Sequence, residues 1–308
     1  MRIEDLHYTV PEKELDEGNF NFERWRIEKP MDYLKAMYLI NTSSNKNEVF
    51  NTIYQITRLY IPETLFKYYS LTDNITLNEE KLKTLEQKNI FMSDIKYLND
   101  PFDNKAYFYK SDVLKKYKRL SIHDGKLIDD FSTFVKISSL TANSFDSMPM
   151  WAHYANNHTG YCVSYDMKEN IQLSSNTFPI QYSKQRIDIT SLMDQQAKKI
   201  IHELETQLKQ RKKQILLDDL TLVILTSFLG NIKHLSWSYE NEFRCTVGAI
   251  AEGMPYLPAT PKEIFIGMNC VSTYEDKIIR IGKKLNIPVY KMIFDDLSSD
   301  YDLKVKRL

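Results

Sequence analysis

The stretch SWSYENEFRC, residues 236–245, combines two carboxylates and a guanidinium at a spacing that could do chemistry. Side chains alternate along an extended chain, so a strand here places Glu240, Glu242 and Arg244 on one face. The two carboxylates are then about 7 Å apart. The opposite face carries apolar side chains such as Phe243. The charged face is therefore either solvated or part of a functional site.

Two interpretations of this charged face stay open. Glutamate and arginine pairs across an edge strand are common structural features. Alternatively, the acids lie beside the aromatic rings of Trp237 and Tyr239, a setting in which a carboxylate stabilises developing positive charge. The second interpretation makes Glu240 and Glu242 candidate catalytic residues.

The segment FKYYS, residues 66–70, is a second candidate. On a strand, Lys67 and Tyr69 share one face and Tyr68 lies on the other. Adjacent aromatic residues often only pack within a sheet. In a binding site, Lys67 would be a fixed cation directed at a diphosphate, and a tyrosine ring would stack on a base or a pyridinium ring.

The segment NDPFD, residues 99–103, allows a metal hypothesis. Asp100 and Asp103 are close enough along the chain to bind a divalent cation through oxygen ligands. The Asn-Asp-Pro sequence is equally typical of a turn. Two carboxylates alone are a weak signal for a metal site.

The segment MWAHYANNHTG, residues 150–160, predicts a short helix that ends at a left-handed Gly160, followed by a strand. Two histidines five residues apart do not form the zinc-binding pair of a helix. His153 is either a hydrogen-bonded core residue or a polar anchor in a pocket, together with Trp151 and Tyr154.

Composition excludes several classes of protein. The 308-residue chain has 41 Lys plus Arg and 41 Asp plus Glu, so a formal net charge of zero gives no general attraction to nucleic acid. The basic run at 209–214 is the best candidate for a local basic patch, but such a run is more typical of a solvated helix face. Three cysteines without CxxC spacing argue against a disulfide framework. No signal core and no membrane-spanning apolar run is apparent, so we expect a cytoplasmic protein without a membrane partner.

Hydrophobic periodicity predicts an α+β or mixed α/β domain with flanking helices, whose sheet is assembled from distant segments. Residues 1–61 are predicted to be an N-terminal helical appendage, which is a possible protein-binding element, and 62–308 the α+β domain. The predicted elements of that domain are strands at 64–71, 90–95 and 134–141, helices at 78–89, 111–119 and 192–230, a strand in ENEFRCTVGAI, and a closing β-α-β unit at 262–294.

These motifs in this order resemble the bacterial family of domain of unknown function 2971. The resemblance rests on FKYYS, LNDPFD, SLTANSFDSMPMWAHYANNHTGYCVSYD, WSYENEFR and the closing IFIG. It covers about residues 63–295. The segment order is also similar to the ADP-ribosyltransferase fold, including its DNA-modifying toxin branch, although no histidine stands in the first strand and no Ser-Thr-Ser triplet is present.

That second similarity implies an α+β fold with a mixed, mostly antiparallel sheet. It also implies an enzyme that uses NAD as a substrate, either an ADP-ribosyltransferase or an NAD glycohydrolase, of the kind that serves as a bacterial toxin or antiviral defence effector. Lys67 and Tyr68 would occupy the first NAD-binding position and Ser93 the second. Glu242 would stabilise the oxocarbenium-like centre, and Glu240 would orient the acceptor or take its proton. The acceptor, a protein or a nucleic acid, stays open.

Two other hypotheses compete. A metal-dependent nuclease would use Asp100, Asp103, Glu240 and Glu242 around magnesium. A non-catalytic ligand sensor or interaction module would instead form an aromatic pocket from Trp151, His153 and Trp237.

Overall fold

A computed structural model describes residues 33–42, 45, 47, 51, 61–103, 105–122, 124–126, 135–211, 219–248, 255–295, 297–299 and 301–308. Of the predicted N-terminal helical appendage, the structure describes one helix, α1, Tyr33–Thr42. Most of the other residues of 1–61 lie outside the described residues. The boundary at residue 61 therefore stays a prediction.

The described chain alternates short strands and helices. The strands are β1 Thr64–Tyr69, β2 Asn89–Phe91, β3 Ser93–Asp94, β4 Tyr107–Phe108, β5 Val135–Thr141, β6 Tyr161–Asp166, β7 Thr177–Pro179, β8 Gln181–Ser183, β9 Ile187–Asp188, β10 Ile232–His234, β11 Glu242–Gly248, β12 Tyr256–Pro258, β13 Glu263–Ile266, β14 Val289–Phe294 and β15 Leu303–Arg307. The α-helices after α1 are α2 Ile75–Glu86, α3 Ser111–Leu114, α4 Lys118–Ser121, α5 Met148–Tyr154, α6 Ile171–Ser175, α7 Thr190–Lys209, α8 Asp219–Leu229 and α9 Ser272–Leu285. Short 3₁₀ helices span Ile95–Tyr97 and Leu235–Glu240.

The main sheet confirms the predicted α+β class with a mixed, mostly antiparallel arrangement. Its strands follow the order β15-β14-β13-β6-β1-β5-β11-β7, and β3 pairs with β5 beside this path. Within this sheet β13 and β14 are parallel and the other pairs are antiparallel. The parallel pair is joined by α9, as the predicted closing β-α-β unit requires.

Strand β5 has different neighbours on its two sides. β11 runs along one side of β5 for its whole length. On the other side, β1 pairs with β5 only at its C-terminal end, Phe66 opposite Thr141, and β3 pairs nearer its start, Ser93 opposite Ile137. We call the gap between β1 and β3 the fork. At the fork, the side of β5 that faces away from β11 has no neighbouring strand among the described residues, so its backbone can face a cavity.

Three apolar clusters hold these elements in place. One face of the sheet packs against α2 and α9 through residues such as Leu65, Phe243 and Cys245. The other face packs against α5, where Trp151 meets Tyr68 edge to face. The third cluster joins α1, α7 and α8. The fork is thus bordered by well-packed elements on both faces of the sheet.

Several predicted elements differ in detail. The helix predicted at 111–119 is two short helices, α3 and α4. The helical pattern at 192–230 is also two helices, α7 and α8, with 212–218 outside the described residues. The strand predicted at 90–95 is β2, β3 and the start of a 3₁₀ helix.

Gly160 is not left-handed, contrary to the sequence prediction. The left-handed residues of this turn are Asn156, Asn157 and His158. Gly160 is required for a different reason, because a Cβ atom there would lie 1.9 Å from the carbonyl oxygen of Tyr69. The glycine therefore allows close approach of the backbone of β1.

Candidate functional site

A cavity of about 110 Å³ lies at the fork, and we call it the inner cavity. It brings together segments that are far apart in the sequence. The polar, charged and aromatic side chains in its lining that could bind a ligand or take part in a reaction are Lys67, Tyr68, Asp100, Asp103, Ser139, Tyr154, Lys233, Trp237, Glu240, Glu242 and Arg244. The early lysine segment, the α5 helix and the late acidic segment therefore meet at one concave surface.

Glu240 reaches the cavity from a 3₁₀ helix and not from the strand on which it was expected. The strand begins only at Glu242, because Asn241 adopts a left-handed backbone with φ of 46°. Asparagine tolerates this conformation better than most residues. Glu240 is only 3% exposed. It accepts hydrogen bonds from the Tyr154 hydroxyl and, at 2.7 Å, from the Lys233 ammonium.

Glu242 and Arg244 share one face of β11, as alternation predicts. Arg244 donates to Glu242 from Nε at 2.7 Å. Its two terminal nitrogens donate to the two oxygens of Asp103 at 2.6 and 2.7 Å. Glu242 accepts a further hydrogen bond from Lys233 at 2.9 Å. All four side chains are buried. Asp103, Lys233, Glu240, Glu242 and Arg244 are called the ionic cluster below.

The pKa values of the two glutamates are shifted in opposite directions. Burial and the neighbouring charge of Glu242 raise the pKa of Glu240, against the opposing effect of Lys233. Burial also disfavours the charge of Glu242, but Arg244 and Lys233 outweigh it and hold the pKa of Glu242 well below its usual range. Paired carboxylates with separated pKa values suit different roles, a proton-transfer group and a permanently ionised group.

Lys67 lies at the mouth of the fork. Its ammonium donates to the carbonyl oxygen of Ser139 at 2.9 Å, at the gap between β1 and β3. It also lies 5.6 Å from the ring centre of Tyr69, its neighbour on the same strand face. Burial lowers the pKa of Lys67 to about 8, although Glu242 opposes the shift. A lysine in this state can lose or gain a proton near neutral pH.

Lys233 connects the two glutamates, and sequence reasoning missed it. Its ammonium bridges Glu240 and Glu242 and lies 4.8 Å from the ring centre of Trp237. Although burial lowers its pKa, the two glutamates raise the pKa of Lys233 above the ordinary value. The available signal was a lysine next to the apolar Ile232 in the strand-like sequence NIKH, residues 231–234.

A second, larger cavity of about 450 Å³ adjoins the first, and we call it the outer pocket. Asp100, Lys233 and Trp237 line both spaces. The remaining lining residues of the outer pocket are Phe102, Ala106, Ser183, Lys184, Gln185, Arg186, His234 and Ser236. The inner cavity thus has an adjacent space large enough for a small-molecule ligand.

Three predicted binding residues lie away from the inner cavity. Ser93 is on β3, and its hydroxyl donates to the carbonyl of Asp94. Trp151 is fully buried and donates its indole N–H to the carbonyl of Phe145. His153 is exposed, with its ring 6.2 Å from that of Tyr239. Their predicted contribution to NAD binding stays a prediction without geometric support.

Tyr68 and Tyr154 do line the cavity. The Tyr68 hydroxyl donates to the carbonyl oxygen of Ser144 at 2.5 Å, so it has a structural partner. The Tyr154 hydroxyl donates to Glu240. Burial, followed by the charge of Glu240, raises the pKa of Tyr154, so the phenol keeps its proton and acts as a donor.

Three of the four carboxylates that line the inner cavity, those of Asp103, Glu240 and Glu242, are arranged in ion pairs. Within the described ranges, no group of three or more His, Cys, Asp or Glu side chains is placed to hold a metal ion. The oxygens of Asp103 and Glu242 instead accept from Arg244 and Lys233. In the same part of the chain, no helix is both long and apolar enough to cross a membrane.

Comparison with known proteins gives one family match. Residues 150–245 match the model of a family described as protein of unknown function (DUF2971), a segment shorter than half of the 308-residue chain. This match supports the resemblance to that family. The matched segment contains Tyr154, Lys233, Glu240 and Glu242 but not Lys67. Neither the curated proteins nor the solved structures yield a match.

Proposed function

We propose that the inner cavity cleaves the nicotinamide–ribose bond of NAD, which makes the protein an NAD glycohydrolase or an ADP-ribosyltransferase-like enzyme. One observation carries the proposal. An ionised carboxylate and a carboxylate with a raised pKa lie side by side in a small cavity with a lysine and a tyrosine. This combination suits a reaction that creates positive charge and then needs a proton acceptor.

The steps assign one role to each glutamate. The C1′–N bond breaks, and its electron pair remains on the nicotinamide nitrogen, leaving an oxocarbenium-like ribosyl centre. The ionised Glu242 stabilises that centre. Water or an acceptor hydroxyl then attacks C1′, and its proton passes to Glu240. The raised pKa of Glu240 makes this transfer more favourable than it would be to an ordinary glutamate.

Three neighbours keep these roles separate. Lys233 fixes both carboxylates at hydrogen-bond distance, 2.7 Å for Glu240 and 2.9 Å for Glu242. Arg244 binds only Glu242 of the two, so it preserves the ionised state of that residue alone. Tyr154 directs the remaining oxygen of Glu240.

The test is nicotinamide release from NAD, measured by chromatography, with and without protein and nucleic-acid acceptors. We expect Glu242→Gln and Glu240→Gln each to lower kcat about 10²- to 10³-fold, as for loss of one group that stabilises transition-state charge or transfers a proton. Glu263→Gln is the matched control, because Glu263 lies on β13, outside the lining of the cavity. Activity of this control should equal that of the wild type.

Two results contradict the proposal. One is the absence of nicotinamide release under every acceptor condition. The other is wild-type activity of folded Glu240→Gln protein, verified by circular dichroism. The Glu240 variant matters because Glu242→Gln leaves Arg244 partly unpaired and can fail to fold, whereas the hydrogen bonds of Arg244 go to Glu242, Asp103 and the carbonyl of Gly230.

A non-catalytic ligand sensor is the second candidate function. One observation favours it: both oxygens of Glu242 already accept hydrogen bonds, from Arg244 and from Lys233. A carboxylate neutralised in this way can serve structure alone. Under this alternative, the protein binds a nucleotide without consuming it, and Glu240→Gln leaves ligand affinity unchanged. For a metal-dependent nuclease we find no favouring observation at this site.

A further inference from the structure

The inner cavity is too small for a dinucleotide. An engineered cavity of about 150 Å³ holds a single benzene ring. The inner cavity, at about 110 Å³, therefore has room for one aromatic ring at most. The rest of any nucleotide that reacts there must lie in the adjacent outer pocket, which has a volume of about 450 Å³.

Arg186 is held in a fixed position at the outer pocket. Its Nε donates to the carbonyl oxygen of Lys105 at 2.8 Å, and Nη2 donates to that of Tyr107 at 2.5 Å. The guanidinium carbon lies 5.7 Å from the ring centre of Phe108. Its third nitrogen, Nη1, makes no hydrogen bond within the described ranges. This side chain is therefore pre-organised and keeps donors available for a ligand.

The positive charge of the outer pocket is not neutralised in the same way as that of the ionic cluster. Within the part of the chain that the structure describes, neither Lys184 nor Arg186 has a carboxylate partner, whereas Lys233 is bound by two glutamates. The acidic residue that lines this pocket is Asp100. The aromatic side chains of Phe102 and Trp237 lie on the same lining. Phosphate and a planar base are the ligand groups that match this set.

Asp100 marks the junction between the two spaces. It lines both of them and is 7% exposed. Its Oδ1 accepts from the backbone N–H of Phe102 at 2.9 Å, while its Oδ2 has no hydrogen-bond partner among the residues that the structure describes. A buried carboxylate oxygen without a donor is unusual and costly. A hydroxyl of a sugar placed between the two spaces would supply that donor.

We propose that the outer pocket binds the phosphate and base of a nucleotide through Arg186, Lys184 and the aromatic lining, with Asp100 accepting a hydroxyl from its sugar. This inference rests on the proposed function and names the substrate class of that site. It also moves the phosphate contact from Lys67, where the sequence placed it, to Arg186. Lys67 is instead engaged with the backbone of β5.

The experiment is isothermal titration calorimetry of the full chain with three probes: ADP, adenosine and inorganic diphosphate. ADP should bind about tenfold or more tightly than adenosine, since each charge-assisted hydrogen bond to phosphate adds about 1.5 kcal/mol or more. Arg186→Gln should remove that advantage and leave adenosine binding unchanged. Arg280→Gln on α9, which lines neither space, is the matched control and should bind ADP normally.

Asp100→Asn provides a second variant with a different signature. With ADP-ribose as a fourth probe, it should weaken binding of ADP-ribose, because the terminal ribose of that ligand reaches the junction, and leave ADP and inorganic diphosphate unchanged. Equal affinity of the wild type for ADP and adenosine overturns the proposal, as does unchanged ADP affinity in folded Arg186→Gln protein. Failure of ADP to bind at about 1 mM overturns it as well.

The outcomes also separate this inference from the proposed function. Binding of ADP that depends on Arg186, without nicotinamide release, leaves the phosphate subsite intact and removes the glycosidic reaction. Conversely, nicotinamide release with an unchanged KM for NAD in Arg186→Gln protein keeps the reaction and removes the subsite.

Discussion

The two faces of β11 are buried to the same extent but interact in opposite ways. Phe243 and Cys245 pack into the apolar core beneath the sheet, while Glu242 and Arg244 belong to the ionic cluster. Phe243 and Arg244 are each only 1% exposed. Burial of Phe243 is favourable in itself, whereas burial of Arg244 has a desolvation cost that only well-placed partners offset.

This difference indicates which face has a role beyond folding. Apolar side chains of similar volume at the ionic cluster would stabilise the sheet at least as well, since buried ion pairs are often no better than packed hydrophobic residues. The ionic cluster also lines a cavity, which the core face does not. We infer that the charges of β11 serve the cavity and not the stability of the sheet.

The largest expected effect is that of Arg244→Met. Loss of the guanidinium leaves Asp103 and Glu242 buried without their main partner, so the free energy of unfolding should fall by about 3–5 kcal/mol at neutral pH. Urea or guanidinium denaturation measures it. Phe243→Ala on the opposite face is the matched comparison and should lose a similar amount, about 3–5 kcal/mol, by forming a cavity.

Lower pH should separate these two variants. The depressed pKa of Glu242 contributes stability that is present above its unfolded value of 4.5 and is lost as the pH falls below that value. Because Arg244 causes much of that depression, the penalty for Arg244→Met should shrink under acidic conditions. The penalty for Phe243→Ala should stay constant. A destabilisation of less than about 1 kcal/mol for Arg244→Met would remove the contrast between the two faces.

An intermediate effect is expected from Lys67→Met, and its direction with pH is the test. A lysine whose folded pKa is about 8, below the ordinary 10.5, holds its proton less readily when folded than when unfolded. Wild-type stability should therefore rise, relative to Lys67→Met, as the pH increases from about 8 to 10.5.

Denaturation curves at several pH values check this prediction. Lys168→Met is the matched control, because Lys168 is an exposed lysine paired with Glu63 at the surface. A stability difference between wild type and Lys67→Met that is constant with pH, or that falls over this range, would show that burial at the fork does not disfavour the charged form of Lys67.

Sequence reasoning correctly placed residues that depend on local alternation. Glu242 and Arg244 share a face, and Lys67 lies beside Tyr69, because the side-chain period of a strand is two. The mixture of strands and helices also followed from the order of their short patterns. Side-chain alternation is a local property, whereas the pairing of strands in the sheet joins segments that are far apart in sequence, such as β5 and β11.

Contacts between distant segments could not be predicted in this way. Lys233 reaches the glutamates because β10 pairs in parallel with β8, which places residues 232–234 beside 181–183. Asp103 meets Arg244 across 141 positions of sequence. Hydrophobic periodicity does not specify such pairings. Glu240 lies outside the strand that was predicted for it, because the left-handed backbone of Asn241 separates it from the start of β11.

The smallest expected effect is that of Tyr154→Phe, which sharpens the comparison within the cavity itself. The variant keeps the ring and removes the hydroxyl that donates to Glu240, so the free energy of unfolding should fall by about 1 kcal/mol. Because that hydrogen bond lowers the pKa of Glu240, its loss should raise the pKa further. The acidic limb of kcat/KM for nicotinamide release should then move to higher pH.

Tyr69→Phe is the control for this pH shift, since the Tyr69 hydroxyl bonds to Tyr165 and not to a carboxylate. A pH profile for Tyr154→Phe that coincides with that of Tyr69→Phe would exclude Glu240 as the proton acceptor. Loss of a hydrogen bond to Glu240 would then have left the pH dependence of the reaction unchanged.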